Sequence, residues 1–169
     1  MRKRRDLQAG AIYHVASKID HGDMALEDAV IKQLFLDMVV LAKKKFPFKI
    51  WNFTVMGNHI HFLIQPGEGV SLSKLMQWLK CNFAKKWNKM HGRHGHVWGE
   101  RFFSKIVQDR RAFENVSTYI DENPLKAGLV EKAVDWVFGG LSHRLRGIRW
   151  LLDELWETGF YGPPVVTTS

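Results

Sequence analysis

The stretch Met56-Gly57-Asn58-His59-Ile60-His61-Phe62-Leu63-Ile64 sets the frame of the whole chain. An apolar run begins directly after Gly57-Asn58, and another, Lys49 to Met56, ends directly before it. So short a connection between two such runs predicts a tight hairpin with strands at Lys49–Met56 and His59–Gln65. Successive side chains of a strand point to opposite faces. His59 and His61 therefore project from one side, close enough to grip a single metal ion.

Working outward, Ala11 to Lys18 carries aromatic and β-branched residues and predicts a first strand. Glu27 to Lys45 repeats apolar residues at Val30, Ile31, Leu34, Phe35, Met38 and Leu41, which is helical spacing, and Pro47 closes the run. Ser71 to Met90 is a second helical stretch, with Leu72, Leu75, Met76, Leu79, Phe83 and Met90 as its expected core stripe. His91 to Gly99 reads as a loop rich in glycine and histidine, and Arg101 to Val107 as a fourth strand. The order β-α-β-β-α-β predicts an α+β, ferredoxin-like antiparallel sheet with two helices packed on one face.

Asp109 to Glu122 predicts one more helix, with Asp109 as N-cap and an end before Pro124. Phe113, Val116 and Ile120 form its stripe, and Tyr119 lies roughly 100° from the centre of that stripe, at the margin of the packed face. Asn123 follows four residues later, on the same flank as Tyr119. The domain reading is a basic arm over 1–9, a domain over 10–130 and an extension over 131–169, whose Gly-Pro-Pro-Val-Val-Thr-Thr-Ser end has the composition of an unstructured tail.

Charge narrows the partners. Twenty-five Lys and Arg stand against seventeen Asp and Glu, a formal net charge of +8 and a pI near 9.7, which makes a polyanion the leading class of partner. A single cysteine, Cys81, excludes an internal disulfide framework and fits a reducing compartment. The apolar runs are too short to cross a bilayer, and Asp6 and Gln8 stand where a signal peptide needs its apolar stretch. The expectation is a cytoplasmic chain without a membrane partner.

Met56-Gly57-Asn58-His59-Ile60-His61, followed about sixty positions later by Tyr119-Ile120-Asp121-Glu122-Asn123-Pro124-Leu125-Lys126-Ala127-Gly128-Leu129-Val130, resembles the single-tyrosine transposase family. Gly10-Ala11-Ile12-Tyr13-His14-Val15 fits its opening, so the similarity runs from about Gly10 to Val130. Within the family the chain most resembles the repeat-associated tyrosine transposases, which act on palindromic DNA repeats. The resemblance implies a histidine-hydrophobe-histidine (HUH) nuclease site in which His59, His61 and, more loosely, Asn123 ligate Mg²⁺ or Mn²⁺. It also implies that Tyr119 is the nucleophile. A phenol is a poor nucleophile at neutral pH and a phosphodiester repels anions, so a cation that polarises the phosphate suits this chemistry. Attack by Tyr119 would leave a 5′-phosphotyrosine and a free 3′-OH. The covalent bond conserves the energy of the broken one, so a different 3′-OH can reverse the step without ATP. The implied substrate is single-stranded or hairpin DNA, and a homodimer sharing active sites is compatible with the resemblance.

Each element also has a plainer reading. His94 and His96 share the spacing of His59 and His61 but lie in a Gly-rich segment and read as solvent-exposed; His14, on the first strand, either faces the same site or is structural, and the structural role is the favoured reading. Lys74, Lys85 and Lys89 flank Trp78 on the reverse face of the second helix. That face is either a base-stacking, phosphate-holding surface or a solvated face whose tryptophan is lodged under a loop. Arg2, Lys3, Arg4 and Arg5 suit contact with a hairpin stem. Gly57 stands where the family commonly has proline, which predicts a looser hairpin, and Asp121 and Glu122 place negative charge between Tyr119 and Asn123. A replication-initiator-like nickase usually carries two tyrosines on its helix, and this chain has only Tyr13, Tyr119 and Tyr161. The alternative from another class is a catalytically silent nucleic-acid-binding module with the same sheet.

Overall fold

The structure, a computed structural model, describes residues 8–162. The basic arm residues Arg2 to Arg5 and the final residues of the tail lie outside that range. Four strands, β1 (Ile12–Lys18), β2 (Phe48–Val55), β3 (His59–Pro66) and β4 (Phe103–Val107), form one sheet in the order β2-β3-β1-β4 with every pairing antiparallel. Helices α1 (Ala29–Lys45) and α2 (Leu72–His91) connect them, and α3 (Arg110–Lys126) follows β4. The ferredoxin-like order is the one the hydrophobic periodicities predict.

Side-chain alternation makes two cores. On one face Tyr13, Val15, Phe53, Val55, Ile60, Phe62 and Ile64 pack under Phe35, Leu36, Met76 and Phe83 of α1 and α2. Complete burial of a side chain such as Phe62 is worth about 1.5–3 kcal/mol, so this layer supplies most of the fold's cohesion. On the other face a smaller cluster of Ile12, Trp51, Leu63 and Val107 meets Phe113 and Ile120 of α3. A β-bulge between Ile50 and Asn52 inserts Trp51 as an extra residue. Trp51 and Asn52 thereby both serve the α3 side, while Ile50 and Phe53 stay with the main core.

The helix starts follow the capping chemistry: Asp28, Ser71 and Asp109 each accept a hydrogen bond from a backbone N–H of the first turn. Three details differ from the sequence expectation. Met90, Val30 and Leu41 are exposed although Met90 keeps the angular position of Leu72; in the last turns of α2 the buried place goes to Trp87, whose Nε1–H donates to the Ala25 carbonyl at 3.0 Å. The third helix does not end before Pro124 but runs to Lys126. Proline removes only one helical N–H. Here its ring is buried, and the N–H groups of Ala127 and Leu129 close the end on the carbonyls of Asn123 and Pro124. The hairpin turn is also pinned rather than loose. The N–H groups of Ile19 and Leu26 donate to the carbonyls of Asn58 and Gly57 at 2.8 and 2.9 Å, and a Cβ on Gly57 would overlap the Met24 methyl.

Residues 131–162 pack along β2 and both cores. Short 3₁₀ turns at Ala133–Asp135 and Leu155–Thr158 flank α4 (Gly140–Leu145). Asp153 accepts from the Ile50 N–H at 2.8 Å and pairs with Lys43 at 2.6 Å; Val55 donates to the Phe138 carbonyl at 3.0 Å; Lys49 pairs with Glu157. The extension thus occupies hydrogen-bonding groups that β2, at one end of the sheet, would otherwise leave open. Among the described residues no helix is long and apolar enough to cross a membrane.

Candidate active site on the open face of the sheet

His59 and His61 lie on the sheet face opposite α1 and α2, as the alternation of β3 requires, with ring centroids 5.1 Å apart. Docking of α3 over the same face brings in Tyr119 and Asn123. The Tyr119 ring stands edge-on to His61 at 5.4 Å, and the Asn123 Oδ1 is 3.4 Å from the His59 Nε2. All four side chains come from one chain. Tyr119 is 44 % exposed, so a large substrate can reach it, whereas His61 is only 6 % exposed.

What sets the rotation of α3 is polar. Asn52, supplied by the bulge, donates to the Asp121 Oδ1 and the Ser117 Oγ, both at 2.8 Å, and its own Oδ1 accepts from the Phe53 N–H. Asp121 therefore points to β2 and not to the histidines, and Glu122 turns outward to pair with Lys126 at 2.8 Å. Burial pushes the Asp121 carboxyl up to about 6, against the opposing pull of the Asn52 hydrogen bond and the Arg144 charge.

Burial likewise holds all three imidazoles of the face neutral. It lowers His59, lowers His14 with help from the Lys105 charge, and takes His61 down to about 3, with His59, His14 and Lys18 adding to the effect. Neutral imidazole is the form that ligates metals. The partners of each ring then assign its lone pairs. His59 Nδ1 lies 2.7 Å from the Asn58 Oδ1, an acceptor, and is the closer of the two ring contacts; with the proton on this nitrogen Nε2 carries the lone pair. Asn123 donates its Nδ2 to the Tyr119 carbonyl at 2.7 Å, which fixes its Oδ1 toward His59. Two acceptors thus face each other beside the tyrosine, an arrangement that a cation between them would satisfy. Among the described residues no group of three or more His, Cys, Asp and Glu could hold a metal ion, so a site here depends on the Asn123 amide oxygen.

His14, which the sequence offered as structural, stands inside the constellation. Its Nε2 is 3.0 Å from the His61 Nδ1, its ring stacks on His61 at 5.2 Å, and Tyr119 lies edge-on at 5.9 Å. The available signal was its parity: Ile12, His14, Ala16 and Lys18 share one face of β1, and the pairing Ala16↔His61 puts that face beside β3's histidines. His94 and His96 are exposed, as expected. The α2 residues are farther off. Lys74, Lys85 and Lys89 are exposed on the layer that covers the other sheet face, and Trp78 is half-buried, edge-to-face with Phe46 at 6.1 Å. The ring lies against the main core.

The ferredoxin-like sheet thus carries paired histidines and a helix-borne tyrosine together on its open face. Residues 8–123 match the family described as IS200-like transposases, and the chain belongs to it: it is a tyrosine transposase. It is 26 % identical over 152 residues to a protein assigned as a REP-associated tyrosine transposase in Haemophilus influenzae, covering 83 % of this chain and 85 % of that one. The REP-associated tyrosine transposase of Escherichia coli K12 is 23 % identical over 112 residues, 63 % of this chain and 62 % of that one. Among solved structures, a REP-associated tyrosine transposase bound to a REP hairpin superposes with a TM-score of 0.74 at 20 % identity, covering 100 % of this chain and 95 % of that one.

Proposed function

We propose that this transposase cleaves and rejoins single-stranded or hairpin DNA through a 5′-phosphotyrosine on Tyr119, with Mg²⁺ or Mn²⁺ held by His59, His61 and Asn123. The observation that carries the reading is the pair of facing acceptors, His59 Nε2 and Asn123 Oδ1, 3.4 Å apart beside the tyrosine. A bound cation would polarise the scissile phosphate and offset its charge. The His14 Nε2 lies 3.0 Å from the His61 Nδ1, and a proton on that Nδ1, donated to His14, would leave the His61 Nε2 lone pair for the metal; such outer partners orient metal-binding histidines generally. Tyr119 oxygen bonds to phosphorus as the P–O3′ bond breaks, and the leaving 3′-oxygen takes up a proton. Attack on the phosphotyrosine by another 3′-OH restores Tyr119 and joins the strands.

Hairpin DNA is supported by the hairpin bound to the structural relative, and the net charge of +8 suits any such partner. Arg2, Lys3, Arg4 and Arg5 with Lys74, Lys85 and Lys89 are proposed as phosphate contacts to a stem. The test uses labelled hairpin oligonucleotides, drawn from palindromes flanking the coding region, with Mn²⁺ or Mg²⁺ and a denaturing gel. The expected result is a metal-dependent covalent adduct that vanishes in Tyr119→Phe. Tight binding with no adduct under any of these conditions favours the silent binding module.

A further inference from the structure

We infer that Phe103, with Lys18 and Lys105, forms a single-strand platform that stacks an unpaired base next to the scissile phosphate. The inference rests on the reading of the chain as a single-strand cleaving enzyme and adds how the strand is held. Phe103 is 52 % exposed on β4, on the open face of the sheet. It pairs with Ala16, and its ring meets His14 edge-to-face at 5.6 Å. His14 in turn meets Tyr119 at 5.9 Å, so the ring lies two ring contacts from the nucleophile.

Charge surrounds it on the same face. Lys105 stands opposite His14 in register, and Lys18 stands opposite His59 at the other end of the site. Both are exposed, and among the described residues neither has a carboxylate partner. Lys126, over the Tyr119 ring at 5.7 Å, is already paired with Glu122. Two unpaired lysines on either side of the site with an exposed aromatic between them match a backbone carrying a phosphate at each step and a base with a π-face. β4 ends the sheet, so among the described residues no further strand blocks approach over that edge. Duplex DNA, with its bases paired and stacked, offers the ring nothing.

The test measures binding in the Tyr119→Phe background, which forms no covalent product. The probes are a DNA hairpin with a single-stranded flank and the same hairpin blunt. Phe103→Ala should weaken the flanked probe by about 5- to 100-fold and leave the blunt one unchanged, and Phe103→Trp should restore affinity. Lys18→Gln and Lys105→Gln should each reduce the slope of log affinity against log salt by about 0.7. Equal binding of the flanked probe by the parent and a folded Phe103→Ala overturns the platform alone. A Tyr119→Phe chain that binds neither probe, together with a wild-type chain that forms no adduct with either, overturns the DNA-cleavage reading and the platform with it.

Discussion

The two faces of the sheet obey opposite rules although they share strands. On β3, Ile60, Phe62 and Ile64 enter a core closed by two helices, while His59 and His61, one residue out of phase, enter a face that a single helix covers only in part. The covered face is apolar and complete. The open face keeps three neutral imidazoles, of which His61 is buried and His14 and His59 half-buried, an inward carboxyl pushed up to about 6 and an exposed tyrosine. Cohesion and reactivity are thus separated by one residue of register, and a change on either face should leave the property of the other nearly untouched.

The sharpest way to break that separation is a pair of neighbours. Phe62→Ala should cost about 3–5 kcal/mol in urea unfolding, through a cavity under Phe35 and Phe53. His61→Ala should cost far less at neutral pH yet abolish Mn²⁺ binding measured by electron paramagnetic resonance. If His61→Ala proved the more destabilising, the division of labour would be wrong.

Acid probes the open face alone. The folded-state value of His61, about 3, lies below its ordinary 6.5, so its contribution is present above pH 6.5 and is lost as pH falls toward 3. Metal-free protein should lose on the order of 4 kcal/mol across that window, and His61→Gln should flatten the slope. Denaturant melts at a series of pH values would show it.

His14 sharpens the comparison within the open face. His14→Ala should weaken Mn²⁺ binding by about 10- to 100-fold, whereas His14→Gln, whose carbonyl can still accept from His61, should recover much of the loss. Isothermal titration with Mn²⁺ would tell them apart, and unchanged affinity in His14→Ala would remove it from the site.

The smallest effect belongs to Asp121. Its value is raised from 3.8 to about 6, so folding favours the protonated form and the penalty grows as pH rises through that interval. Asp121→Asn, which can still accept from Asn52, should gain about 1 kcal/mol at pH 8 and nothing below about pH 4. A thermal-melt advantage that persisted in acid would contradict the assignment.

Much of this was legible in the residues. Period-2 and period-3.6 patterns marked all four strands and three helices, and the parity of β3 placed His59 and His61 together. Pro124 misled because a proline in a last turn sacrifices one bond and not the helix. His14 was underrated because its worth comes from a partner 47 residues away, a pairing that no local spacing encodes. Trp78 sat correctly on a lysine face, but the Phe46 ring that takes it up belongs to another element.

By itself, then, the sequence determined which side chains share a face, since alternation and helical pitch are properties of the local backbone. Only the tertiary structure decided how the faces meet. The bulge at Trp51 delivers Asn52 to Ser117 and Asp121, which sets the rotation of α3 and so carries Tyr119 and Asn123 to the histidines. The antiparallel pairing of β1 with β3 then sets His14 against His61. Register and docking are sums of many weak long-range contacts, and such sums are settled only when the chain closes on itself.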